Sequence, residues 1–155
     1  MKKQEFLSVA ECLNKKLRIV PLLYGSLGLE QRLQTDLGAE DIDILLPEVF
    51  LTGKWDSITA LMEENGYVLY DLHEHAFEKD GVSVAFAPIE DLTPFAGVDL
   101  TEIPVLEESG VRYFLLSLQD YLEVYTASAK DGYRKTKKNK QDGQKIERIK
   151  KALET

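Results

Sequence analysis

Apolar residues return every three or four positions at Phe6, Val9, Ala10, Leu13 and Leu17, a spacing that predicts an amphipathic helix of about four turns. The run over 19–24 is short and continuous, which predicts a strand. Pro21 has no N–H to give a ladder, so that strand either starts late, at Leu22, or leaves an edge free near Pro21. Residues 29–37 read as a helix stopping near Gly38, a natural left-handed cap. Alternation then sets in over 41–44 and Leu45-Leu46 continue the run, predicting a strand over 41–46 that ends at Pro47.

Trp55, Ile58, Leu61 and Met62 restore the helical period, and Asn65-Gly66 closes that helix. Three short strands are expected over 67–72, 76–78 and 82–87, with a tight hairpin turn at Lys79-Asp80-Gly81. Residues 89–111 read as a long irregular connection, with a candidate strand at 103–106. Ser117 with Asp120 three residues on has capping-box spacing, and Leu118, Tyr121, Leu122 and Tyr125 would face inward on a helix ending near Asp131-Gly132. The biased segment 134–140 reads as a mobile loop, and a last helix over about 140–153 carries Ile146, Ile149 and Leu153 as its stripe. No internal repeat is visible.

Composition limits the reading more than it directs it. At 155 residues, with 44% apolar and 30% charged positions, the chain suits one compact soluble domain. No apolar run approaches the roughly 18–20 residues that cross a bilayer. Lys2-Lys3 leads into a charged amphipathic stretch instead of a signal region, so no membrane partner and a cytoplasmic address are expected. The single Cys12 lies on the apolar stripe and reads as core filler.

The net charge of −8 is unevenly spread. From Lys130 onward ten Lys or Arg face four Asp or Glu, so the tail is basic and the body strongly acidic. The acidic body argues against general DNA binding, while the tail offers positive charge to a triphosphate, an RNA acceptor or the body itself. A solvated helical face is the simpler account of the tail, because no aromatic stacking pattern runs through it.

Two short motifs carry candidate chemistry. In the strand over 41–46, Asp41 and Asp43 share one face while Ile42 and Ile44 cover the other. Two carboxylates one residue apart form an oxygen clamp suited to Mg²⁺, and the upstream Gly25-Ser26 turn before a helix offers backbone N–H groups to phosphate. Read alone, Gly25-Ser26 is an ordinary helix start with a serine N-cap, and the aspartates an acidic strand edge beside Glu40. Together they imply a metal-bound nucleotide. His73-Glu74-His75 offers two histidines without a third ligand, and reads as a polar strand end.

The order strand, Gly-Ser, helix, Asp-x-Asp strand, then a later strand resembles the nucleotidyltransferase superfamily, which includes polymerase beta, antibiotic-modifying nucleotidyltransferases and small toxin–antitoxin relatives. Tyr24-Gly25-Ser26-Leu27 and Asp41-Ile42-Asp43-Ile44 carry the resemblance, with fourteen residues between Ser26 and Asp41. Leu116-Ser117-Leu118-Gln119-Asp120 and Lys140-Gln141-Asp142 are similar to the helical end of antibiotic-modifying members. The implied fold is α+β, a mixed sheet flanked by helices with a C-terminal helical segment. Residues 1–115 would form the core and 116–155 a helical pair packed on it.

The resemblance also assigns roles. Gly25 and Ser26 would contact the triphosphate, and Asp41 and Asp43 would be catalytic through one or two bound Mg²⁺ ions. Arg32 and Lys140 would be further phosphate contacts. The reaction implied is transfer of a nucleoside monophosphate, with ATP as the expected donor, to a hydroxyl of a small-molecule, RNA or protein acceptor. Such enzymes take a third carboxylate from the later strand, where it often accepts the hydroxyl proton. Aligning 80–88 by its turn and closing proline puts Ala85 there. Either another acid substitutes, with Asp71, Glu74, Glu78, Glu90 and Asp91 nearby, or the chain is a catalytically lapsed nucleotide-binding or interaction module.

Overall fold

The computed structural model describes residues 2–130 and 137–154, with side chains of 137–141 outside the description. Elements follow in the order α1 (Lys2–Leu17), β1 (Leu22–Tyr24), α2 (Gly25–Leu33), β2 (Asp41–Leu46), α3 (Trp55–Glu64), β3 (Val68–Asp71), β4 (Ala76–Lys79) and β5 (Val82–Pro88). After these come α4 (Leu92–Ala96), β6 (Val105–Glu108), β7 (Val111–Phe114), α5 (Leu118–Lys130) and α6 (Lys137–Leu153). The strands form one seven-stranded sheet in the order β3-β4-β5-β2-β1-β7-β6. β2–β5 and β1–β7 are parallel and the other pairs antiparallel, so the sheet is mixed and the fold α+β. Among the described residues, no helix is long and apolar enough to cross a membrane.

Most elements follow the hydrophobic pattern, and the departures have local causes. β1 starts at Leu22, as Pro21 requires. α2 begins at Gly25 and stops at Leu33, earlier than the helix expected over 29–37. Its end is set by Gln34 in the left-handed region (φ 55°), and Gly38 lies outside the helix. The Glu30 carboxylate accepts from the N–H groups of Leu37 and Ala39 at 2.9 and 3.0 Å. These bonds hold the following loop against the helix that 34–37 would otherwise extend.

The connection over 89–111 contains α4 and β6, and β7 follows it. β6 and β7 form a hairpin whose loop is Ser109-Gly110, both at positive φ, the geometry of a two-residue type I′ turn. Asp80-Gly81 makes the same turn between β4 and β5. α6 starts at Lys137, so 137–140 are helical where a mobile loop is expected, and 134–136 lie outside the described residues.

One apolar core links the sheet to its helices, from Phe6 and Leu13 of α1 through Leu23, Ile42 and Ile44 to Tyr121 of α5 and Ile149 of α6. Cys12 is half-buried against it. The Ser117 hydroxyl accepts from the Asp120 N–H at 3.1 Å, capping α5 as its sequence predicts. Arg32 donates from α2 to the carbonyls of Leu116 and Leu115 at 2.8 and 3.1 Å, tying α2 to the strand–helix junction of β7 and α5.

Candidate nucleotide site

The turn from β1 into α2 is shaped around Asp43. Gly25 sits at φ +64°, which few L side chains adopt, and a Cβ built there would lie 2.5 Å from Asp43 Oδ2. Glycine is therefore needed for both backbone conformation and space. Among the described residues no side chain caps the N-terminus of α2, so its first amides lie at the positive end of the helix dipole without a side-chain acceptor. Ser26 lies within α2 instead of capping it, and its hydroxyl accepts from Lys145 Nζ at 2.9 Å.

Strand register fixes what shares the carboxylate face. β2 pairs with β5 so that Asp41 lies level with Ser83 and Asp43 with Ala85, while Tyr24 of β1 flanks Asp43 on the other side. Beyond β5, β4 places Ala76 level with Ala85 and Glu78 level with Ser83. The Ser83 hydroxyl shares a hydrogen bond with the Tyr70 hydroxyl at 2.8 Å. Ala85 thus occupies the position next to Asp43 that the resemblance reserves for a third acid. Burial raises the Asp43 pKa above the usual carboxylate value, the charge of Asp41 raises it further, and Lys145 offsets part of the rise.

α5 and α6 supply the opposite wall. Ser128 and Asp142 are both buried, and the Ser128 hydroxyl donates to Asp142 Oδ2 at 2.9 Å, pinning the helices together. One turn along α6, Lys145 stands 5.1 Å from the centre of the Tyr125 ring while reaching Ser26. Tyr121 stacks near Tyr125 and donates to the Leu23 carbonyl at 3.1 Å. Burial pushes both phenols well above their usual pKa, so they remain protonated donors at neutral pH.

These walls enclose an open cleft of about 380 Å³ lined by Gly25, Ser26, Asp43, Glu74, Tyr125 and Lys145 among others, with Phe95 of α4 at 44% exposure on its rim. Gly25, Ser26 and Asp43 meet there. Asp41, one step along the same strand face, is exposed and outside the cleft lining. Arg32 also lies outside the lining, its guanidinium held by the Leu115 and Leu116 carbonyls. The side chain of Lys140 lies outside the described residues.

Glu74 alone of the substitute acids Asp71, Glu74, Glu78, Glu90 and Asp91 lines the cleft. Glu90 accepts from the Glu48 N–H at 2.9 Å, and the His75 ring packs edge-on to Trp55 at 4.7 Å. Among the described residues no group of three His, Cys, Asp or Glu is placed to hold a metal ion. The sequence marks Tyr125 only as an inward-facing position of its helix, and it does not single out Lys145 or Ser128. Their signal was present: Asp142, Lys145, Ile146 and Ile149 fall on adjoining faces of one helix, so the apolar stripe that reaches the core carries Lys145 inward beside it.

This architecture is similar in fold to solved nucleotidyltransferase structures. The crystal structure of ANT(2")-Ia in complex with adenylyl-2"-tobramycin aligns with a TM-score of 0.62 over 99% of this chain and 90% of that one, at 11% identity. An antigenic nucleotidyltransferase-like protein from Paracoccidioides brasiliensis aligns at 0.64 over 94% of this chain and 73% of that one, at 19% identity. At such identities the likeness is one of fold. In sequence, the uncharacterized protein YnaI of Bacillus subtilis (strain 168) is 46% identical over 149 residues, 96% of each chain. The chain belongs to the same family as YnaI. No protein-family profile matches it.

Proposed function

We propose that the cleft binds a nucleoside triphosphate with Mg²⁺ and that the protein transfers its nucleoside monophosphate to a hydroxyl of an acceptor. The observation that carries this reading is the convergence of the uncapped start of α2, Lys145 and Asp43 on one cleft. The α2 amides and the Ser26 hydroxyl suit phosphate oxygens, and the Lys145 ammonium, already on Ser26, would exchange that neutral partner for a charged one.

Asp41 and Asp43 fit Mg²⁺ by donor chemistry. They are hard carboxylates on one strand face, and the raised pKa of the inner one reflects burial and repulsion that a divalent cation would relieve. When bound, Mg²⁺ would neutralise phosphate charge during transfer. Tyr125 packs under the Lys145 ammonium and helps to hold it at the phosphate end of the cleft. ATP is the favoured donor, since the similar fold of ANT(2")-Ia was solved with an adenylylated product. Such a substrate would place the reaction in the cytoplasm. The acceptor is a small molecule, RNA or protein.

A second reading is a lapsed, nucleotide-binding member of the fold. Ala85 supports it, because the residue level with Asp43 on β5 has no proton-accepting group. Calorimetric titration of Mg²⁺ with each nucleoside triphosphate, on the parent and on the double variant Asp41→Asn with Asp43→Asn, tests the common ground. Metal-dependent binding lost in the double variant is the expected result, and no binding by the parent would sink both readings. Pyrophosphate release on adding acceptor pools then separates enzyme from lapsed enzyme.

A further inference from the structure

We infer that Glu74, on the turn between β3 and β4, is the general base of the transfer reaction, taking from across the cleft the role that Ala85 cannot fill. The inference rests on the proposed nucleotidyltransfer and names the residue that would make it catalytic. A hydroxyl acceptor has a pKa far above neutral, so its attack on phosphorus is aided by a nearby carboxylate that takes the proton. Among the described residues lining the cleft three are carboxylates: Asp43, Asp142 and Glu74. Asp43 faces the proposed metal position. Asp142 is buried and accepts from Ser128. Glu74 is exposed, and its carboxylate makes neither an ion pair nor a hydrogen bond with the described residues.

The register places the turn that carries Glu74 two strands away from Asp43. Asp43, Ala85 and Ala76 lie level on β2, β5 and β4, and Glu74 precedes Ala76 by two residues. Two strand spacings, about 10 Å, separate the outer strands. Ala85, level with Asp43, lines the cleft along with Glu74 and presents only a methyl there, which leaves an acceptor hydroxyl room beside the two carboxylates.

The turn is held in place. Asp71 Oδ1 accepts from the Glu74 N–H at 3.2 Å, the His75 carbonyl accepts from the Phe86 N–H at 3.2 Å, and His75 sits at φ 52° with its ring against Trp55. A left-handed histidine is strained and persists here because β5 and α3 both hold it. In the step itself the acceptor O–H proton passes to a Glu74 oxygen as the new O–P bond forms at the α-phosphorus. The bond from that phosphorus to the bridging oxygen breaks, pyrophosphate leaves with the electron pair, and Glu74 returns its proton to solvent.

The test uses the full chain with Mg²⁺, each of the four nucleoside triphosphates, and a bacterial small-molecule and RNA extract as acceptor. Pyrophosphate release is read beside calorimetric binding of a non-hydrolysable triphosphate analogue. Glu74→Gln should lower release by about 10²-fold or more with analogue affinity and Tm unchanged. Adding Ala85→Asp to that variant should restore part of the rate. Release by Glu74→Gln at the parental rate would overturn the inference, as would a parent that binds the analogue yet releases no pyrophosphate. If the parent binds no analogue, the reading of the cleft fails first and the assignment of Glu74 falls with it.

Discussion

The two faces of β4, β5 and β2 are built from alternate residues of the same short segments, yet they obey opposite rules. One face carries Phe77, Val84, Phe86, Ile42 and Ile44, all between 0% and 2% exposed, with Phe77 and Phe86 edge-to-face at 5.9 Å and Trp55 of α3 5.7 Å from Phe77. The other carries Glu78, Ser83, Ala85, Asp41 and Asp43, which are exposed or half-buried. The packed face supplies the stability of these strands. The open face gives some of it up, holding a half-buried carboxylate against a second one where an apolar side chain would pack.

That contrast can be broken or sharpened by substitution. Phe77→Ala removes a fully buried ring and should cost about 3–5 kcal/mol in urea unfolding, whereas Glu78→Ala on the adjacent position of β4 should stay within about 0.5 kcal/mol. Equal costs would show that the faces are not energetically distinct. Gly25→Ala comes next: a methyl 2.5 Å from Asp43 Oδ2 at φ +64° should cost about 1–2 kcal/mol. It should also abolish calorimetric triphosphate binding, because Asp43 has to move.

Lys145→Ala should weaken triphosphate binding by about tenfold, or 1.4 kcal/mol, with the loss shrinking as salt is added. An unchanged Kd would remove Lys145 from the site. The smallest effect expected is a gain in stability. Asp43 has its pKa raised above 3.8 in the folded chain, so keeping it ionised opposes folding once the pH rises through the interval between 3.8 and that higher value. Asp43→Asn should therefore raise Tm at pH 7.5, and the gain should fade as the pH falls below about 4. A lower Tm at pH 7.5 would mean that the carboxylate is held favourably, contrary to its setting.

Legibility in the sequence tracked the range of the interaction. The strand over Asp41–Leu46 was visible because period-two alternation is local, and the late start of β1 because Pro21 lacks a donor. β7 was missed because four residues at the end of an irregular stretch carry little periodicity, although Ser109-Gly110 marked its hairpin. The end of α2 was misplaced because it depends on Glu30 reaching forward to Leu37 and Ala39, a contact that propensity does not register.

The sequence by itself determined the ingredients that a few neighbouring residues can define: a glycine able to turn at positive φ before a helix, and two aspartates forced onto one strand face. Only the tertiary structure decided which distant groups join them. It brought Lys145 across 119 residues to Ser26, turned Arg32 away to the Leu115 and Leu116 carbonyls, and set Ala85 beside Asp43 with Glu74 as the carboxylate beyond it. The reason is physical. Backbone period and φ are properties of adjacent residues, whereas the partner of a long charged side chain is chosen by packing and strand register, which the whole chain settles together.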